Sequence, residues 1–258
     1  MSSIKKANPW RIKAIGVPKE TLKALPLFKN PAEAVLSNRE LRAPIASSDQ
    51  TFNGIAMVDW RSTGAIPIPR SQQACNTCTS FAVVSVIESL HFIKNHTRIQ
   101  LSPGFIHSCL LNLECNMGAG GKDVLDHVKA RGVAYSFQND YPFPKDHCNT
   151  GDLYRITGVV RLDDPSAAMQ AIANHGPIIG SMEIGPEFLK VGPETIYQYR
   201  QFPTPLLHSV AIVGYDRNQG FWIVANSYGE KWGENGFGRV AFGSGGLLSG
   251  YSGWQILL

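Results

Sequence analysis

Cys75 and Cys78 stand three apart in the stretch SQQACNTCTSF, Ser71 to Phe81. Cysteines at that spacing can form a redox pair, supply half a zinc site, or put a nucleophile at the start of a helix. The run that follows, FAVVSVIESLHFI from Phe81 to Ile93, holds no glycine or proline. Its apolar residues recur at three- and four-residue steps, which predicts a buried helix, with Glu88 and Ser89 marking its less buried side. Thr77 is placed to cap this helix, and Cys78 falls in its first turn. Unpaired N–H groups and the helix dipole there favour a thiolate. A thiolate needs a basic partner.

His208 supplies one. It opens HSVAIVGYD, and the link DRNQG leads on to FWIVANSYG. Paired as a hairpin with Tyr215 opposite Phe221, the two runs set His208 opposite Tyr228. Asn226 then lies one diagonal step away on the same face, roughly 7–8 Å off at Cα, within reach of a side-chain hydrogen bond. Asn226 can steer the imidazole while its other nitrogen serves Cys78, which is the logic of nucleophile, base and orienting residue. Gln72, upstream of Cys78, offers an amide that can join the Cys78 backbone N–H around a developing oxyanion.

The competing chemistries fit less of the chain. A thiol oxidoreductase reading of Cys75 and Cys78 expects a strand–helix unit, whereas a proline-rich loop precedes the pair, and it leaves the His and Asn blocks unexplained. A zinc site from Cys75, Cys78, Cys109 and Cys115 has too wide a second spacing. The five cysteines, completed by Cys148, form an odd set. They read as two bridges plus one thiol with another task, in an oxidising compartment, or else as five reduced thiols. The remaining histidines form no paired motif.

The 258 residues carry a formal net charge of +4 with scattered lysines and arginines, so no nucleic-acid partner is expected. No segment approaches the roughly 18 apolar residues of a membrane span. The N-terminus lacks the apolar core of a standard secretory signal. Residues 1–57, rich in proline, read as a leader or prosegment. Helices are expected at 81–93, 102–111, 122–130 and 165–176. Strands are expected at TGVVRL (157–162), PIIGSMEI, HSVAIVGYD, FWIVANSY and FGRVAF. Helices followed by strands make an α+β domain over 58–258.

Four ordered blocks now identify a resemblance. VDWRSTGAIPIPRSQQACNTCTSF, LSPGFIHSCLLNLECNMGAGG, HSVAIVGYD and FWIVANSYGEKWGENGFGRV are similar to the mature start and to the Cys, His and Asn blocks of papain-family cysteine peptidases. The resemblance covers about four fifths of the chain. It implies a two-lobed fold, with a helical left lobe, a barrel-like antiparallel right lobe, and the active cleft between them. It implies Cys78 as nucleophile, His208 as base, Asn226 as orienting residue and Gln72 as oxyanion donor. It pairs Cys75 with Cys115 and Cys109 with Cys148. Gly120 and Gly121 match the pair that grips an extended substrate, and Leu207 and Trp232 are further candidates for lining the cleft.

The implied activity is endopeptidase hydrolysis of protein or peptide substrates through an acyl-thioester, without metal or cofactor. An apolar preference is expected two residues before the cut. Residues 1–57 would act as an autoinhibitory segment, and a monomer is expected. Thr79 and Tyr228 stand where the family usually has tryptophans. An inactive papain-like scaffold and an acyl transferase are the alternatives within the same fold.

Overall fold

The computed structural model describes residues 54–136, 148 and 151–258, so all but the last four residues of the expected leader lie outside the described residues. The first helix, α1, spans Cys78–Asn95 and begins at the expected nucleophile. Apart from Ser85, every residue from Cys78 to Leu90 is buried, so the helix has no polar face over that length. The expectation for Glu88 and Ser89 therefore fails. The Glu88 carboxylate accepts from Arg70 Nη2 at 2.8 Å and from the Leu101 N–H at 2.7 Å. Ser89 Oγ donates to the Ser85 carbonyl at 2.7 Å. Both are buried because their polar atoms are satisfied inside. Thr77 holds the cap position, but its side chain makes no capping bond.

A short helix α2 (Pro103–Phe105) follows, capped by Ser102 and continued as a wider turn over Ile106–Leu110. Helix α3 spans Gly121–Arg131. It ends at Gly132, where φ is +91° and a Cβ would stand 2.8 Å from the Tyr154 carbonyl oxygen, so only glycine fits. Helix α4 covers Pro165–His175 and is capped by Asp164, whose carboxylate accepts from the Ala167 N–H.

The strands, in chain order, are β1 (Met57–Asp59), β2 (Val133–Ala134), β3 (Leu153–Tyr154), β4 (Gly158–Leu162) and β5 (Ile178–Ile184). Then come β6 (Ile196–Tyr197), β7 (Leu206–Asp216), β8 (Phe221–Ala225), β9 (Phe237–Ala241) and β10 (Gly253–Leu257). The run expected to be a strand through Tyr228 thus leaves the sheet after Ala225. Eight strands form one sheet, ordered β4-β10-β5-β7-β8-β9-β6, with β1 pairing on β7. All its pairs are antiparallel except β6 with β9. The C-terminal strand β10, which sequence reading missed, sits between β4 and β5.

Alternation along β7 divides the interior into two cores. Ala211 and Val213 join Ile179, Ile223 and Ala225 against Val83, Val84, Val86 and Ile87 of α1. Val210 and Ile212 join Met182, Val224 and Trp222 on the opposite side, with Ile172 of α4 and Phe188. One strand thereby serves both cores, and its residues 208 and 209 must point to opposite sides.

Candidate active site

Cys78 lies at the first position of α1 and is buried. It is the one free cysteine, because Cys75 is bonded to Cys115 and Cys109 to Cys148. Those pairings agree with what the resemblance implied, and they leave Cys75 without a thiol to share with Cys78. The loop before the helix is held tightly. Cys75 is anchored to Cys115, the Asn76 N–H donates to the Cys115 carbonyl at 2.7 Å, and Asn76 Nδ2 donates to the Asn116 carbonyl at 3.0 Å.

His208 lies on β7 with 1% of its surface exposed. Its Nε2–H donates to Asn226 Oδ1 at 2.7 Å. The Ser227 N–H donates to the same oxygen at 2.8 Å, which fixes the orientation of the amide. With Nε2 as donor, Nδ1 carries the lone pair, and it is buried with no hydrogen-bond partner. Phe188 and Tyr228 flank the ring, with centroids 5.6 and 5.0 Å away. Tyr228 therefore takes a shielding position beside the His208–Asn226 bond.

The hairpin that brings His208 and Asn226 together differs from the simple register. Near the turn Asp216 faces Phe221 and Tyr215 faces Trp222, one residue off the expectation. A bulge between Ile212 and Gly214 removes the offset, and Ala211 faces Ala225 as the expected register requires. The site half of the hairpin keeps the expected phase because two departures cancel.

Gln72 is joined to the Asn226 segment rather than lying loose. Its N–H donates to the Ser227 carbonyl at 2.7 Å, and its Oε1 accepts from the Ser227 hydroxyl. Its Nε2 donates to the Cys75 carbonyl at 2.7 Å. Ser71 pairs with Tyr228 in an isolated bridge. Ser227 was not singled out in the sequence, although it follows Asn226 directly.

The Ser209 backbone, next after His208, lies close enough to the Cys78 thiol to favour its ionised form. This contact sets the thiol against the peptide that carries the imidazole. Burial pushes the Cys78 thiol up, against the hydrogen bonds from Ser209 and Thr79. Burial lowers the His208 imidazole to about 4, and the bond to Asn226 acts in the opposite direction. With water excluded, both groups rest uncharged at neutral pH.

The other candidate residues take distinct places. Gly120 and Gly121 are buried at the start of α3, where a Cβ on Gly121 would approach the Trp254 indole to 3.1 Å. Leu207 is buried on β7 opposite Glu183. Trp232 is buried behind the site. Its Nε1 donates to the Phe188 carbonyl at 2.7 Å, and its ring meets Phe188 and Tyr228, which in turn flank His208. It supports the aromatic wall from the rear.

The family model for papain family cysteine proteases matches residues 55–249. Ananain of Ananas comosus is 29% identical over 215 residues, spanning 78% of this chain and 60% of the relative. The structure of the bromelain protease from Ananas comosus in complex with the E64 inhibitor superposes with a TM-score of 0.67 at 26% identity, covering 80% of this chain and 100% of that one. Digestive procathepsin L 3 from the larval midgut of Tenebrio molitor superposes with a TM-score of 0.69 at 22% identity, covering 93% of this chain and 78% of the other. The chain spans about 60% of the length of the curated relatives it matches first. With its α+β architecture and a free cysteine at the head of a buried helix, this chain belongs to the papain family of cysteine proteases.

Proposed function

We propose that the protein is a cysteine endopeptidase working through Cys78, His208 and Asn226. One observation carries the reading. The His208–Asn226 bond leaves Nδ1 as a bare acceptor, while the one free thiol lies at the head of α1 close to the backbone of Ser209, the residue after His208.

The thiol proton moves to His208 Nδ1, and the thiolate attacks the scissile carbonyl carbon. The carbonyl oxygen becomes an oxyanion, held by the Cys78 N–H and by Gln72 Nε2 once that amide turns from the Cys75 carbonyl. His208 gives its proton to the departing amine as the C–N bond breaks, leaving an acyl-thioester. Water then loses a proton to His208 and attacks the thioester, which frees the acid and restores the thiol.

Labelling the full chain with an epoxysuccinyl thiol-protease inhibitor and mapping the modified peptide tests this reading. Modification confined to Cys78, and lost in His208→Asn, is expected. A Cys78 left unlabelled both in the full chain and after trimming before Ile55 would refute it.

Substrates are proposed to be proteins and peptides with an apolar side chain two positions before the cut, near Leu206 and Leu207. A peptide library scanned at that position checks this. The N-terminal segment is proposed to block the cleft, an inference supported by likeness to a proform. We propose that it is cut before Ile55, because the residues from there on are tied to β7. Tyr215 Oη donates to the Ile55 carbonyl, the Arg217 N–H donates to the Ala56 carbonyl, and Met57 pairs with Asp216. Trimming before Ile55 should therefore raise turnover of a fluorogenic peptide. Equal activity of full-length and trimmed chains would remove the latency proposal. The two disulfides suit an oxidising compartment, and secretion is proposed on that ground.

A further inference from the structure

Beside the catalytic candidates runs a row of buried hydroxyls that the reaction above does not use. Thr79 Oγ1 donates to the Ala119 carbonyl at 2.8 Å. It also lies 3.0 Å from Ser209 Oγ, which lies 3.0 Å from Ser181 Oγ. Their exposures are 4%, 5% and 8%, so water does not compete for these bonds. Each hydroxyl has one proton, and a carbonyl can only accept. Thr79 spends its proton on Ala119, so it must accept from Ser209. Ser209 has then spent its own and accepts from Ser181. The order is fixed as Ser181 to Ser209 to Thr79 to the Ala119 carbonyl.

The placement of this row is informative. Thr79 follows Cys78 directly, and Ser209 follows His208 directly. Ser181 pairs with Ser209 across β5 and β7, as Met182 does with His208. Ala119 immediately precedes Gly120 and Gly121. Ser209 meets the helical side through its hydroxyl, 3.0 Å from Thr79 Oγ1, and its backbone lies near enough to the Cys78 thiol to favour the thiolate. Alternation puts Ser209 on the face of β7 that looks toward α1, and His208 on the other.

We infer that Thr79 and Ser209 are positioning residues that hold the first turn of α1 at a fixed distance from β7, and so set the approach of the Cys78 sulfur to His208. This rests on the endopeptidase reading. The Ser209 hydroxyl does not touch the reacting atoms in the steps above, and the Thr79 side chain stands beside the Cys78 sulfur with its proton committed to the Ala119 carbonyl. They act through the two residues that precede them. A displacement of about 1 Å is enough to cost on the order of 100-fold in such chemistry.

The test is the pH profile of Cys78 alkylation by iodoacetamide in the full chain, with the labelled peptide quantified and thermal melting recorded in parallel. Tyr228 is the titratable group coupled to the thiol, and it stays unchanged in the relay variants, as does His208, the base of the proposed pair. Thr79→Val and Ser209→Ala should each slow alkylation at pH 7 by about tenfold and move the profile to higher pH. Thr79→Ser should restore the wild-type profile. The double variant should lose little more than either single one, because the two hydroxyls act as one link. Wild-type profiles in both Thr79→Val and Ser209→Ala, with His208→Asn clearly altered, would overturn the relay alone. A wild-type profile in His208→Asn would overturn the catalytic pair and the relay with it. If either single variant melts too early to assay, Ser181→Ala removes the first donor while leaving Thr79 and Ser209 bonded. It should then give a smaller shift in the same direction, and no shift would count against the relay.

Discussion

At the scale of single residues, the site is a set of side chains whose atoms are nearly all committed. Gln72 is bonded through its backbone and both ends of its amide, so the oxyanion role proposed for it requires exchange of the Cys75 carbonyl for an oxyanion. Gln72→Ala should lower kcat by about 100–1000-fold with a much smaller change in KM, because the oxyanion exists only after attack. Asn226→Ala should lower kcat/KM by about 100-fold through loss of imidazole orientation. His208 also has a signature in stability. Its imidazole is depressed from 6.5 to about 4 by burial, so the contribution is present above 6.5 and lost as pH falls through 4. Relative to His208→Asn, the wild type should lose about 3 kcal/mol between pH 7 and pH 3.5, measured by denaturant unfolding. These residues were legible because each has a distinctive type and sits in a distinctive block. Ser209, Ser227 and Ser181 were not. A serine carries no periodic or compositional signal, and its partner is known only once strands and helix are docked.

At the scale of elements, α1 was readable from its uninterrupted apolar run, and β7 and β8 from apolar β-type runs on either side of a turn. Strand β10 was missed because its partners β4 and β5 lie far away in sequence. The bulge in the hairpin was also hidden, since a backbone irregularity leaves no mark on side-chain type. Glu88 was misjudged for a related reason. Its partners, Arg70 and the Leu101 N–H, come from flanking loops rather than from the helix. Desolvation raises its carboxyl from 4.5 to about 6, with Arg70 opposing. A folded-state value above the unfolded one contributes stability below 4.5 that is lost as pH rises through 6. Wild-type stability relative to Glu88→Gln should therefore fall by about 2 kcal/mol from pH 4 to pH 7. Its sign is opposite to that of His208 over an overlapping window, so unfolding curves of the two variants at both pH values separate the contributions. Gly214 belongs to this scale too. A Cβ there would stand 2.2 Å from the Val58 carbonyl, so Gly214→Ala should loosen β1 from β7 and cost about 1–3 kcal/mol.

At the scale of the whole molecule, two disulfides close loops of similar length, with sequence separations of 40 and 39. Chain-entropy reasoning gives each about 4 kcal/mol at most. Their locations differ. Cys75→Ala with Cys115→Ala frees the loop between Gln72 and Cys78, so it should reduce both melting temperature and kcat. Cys109→Ala with Cys148→Ala should reduce melting temperature by a similar amount while kcat at low temperature changes little. Parallel calorimetry and peptide turnover would compare them. The α+β division was visible in the chain because helical and strand-like runs occupy separate halves. That a single sheet faces two cores was not visible, since the assignment of each strand face depends on what packs above and below it. Strand β7 sits where those cores meet, and consecutive side chains on it perform unrelated tasks. Exchange of one residue there disturbs one task. Gain or loss of one residue upstream of Ile212 would turn the imidazole toward the helix and the serine toward the aromatic wall, inverting every assignment at once. This segment can accept altered spelling but not a frame slip, and a scan of one-residue insertions and deletions should find it the least forgiving length in the protein.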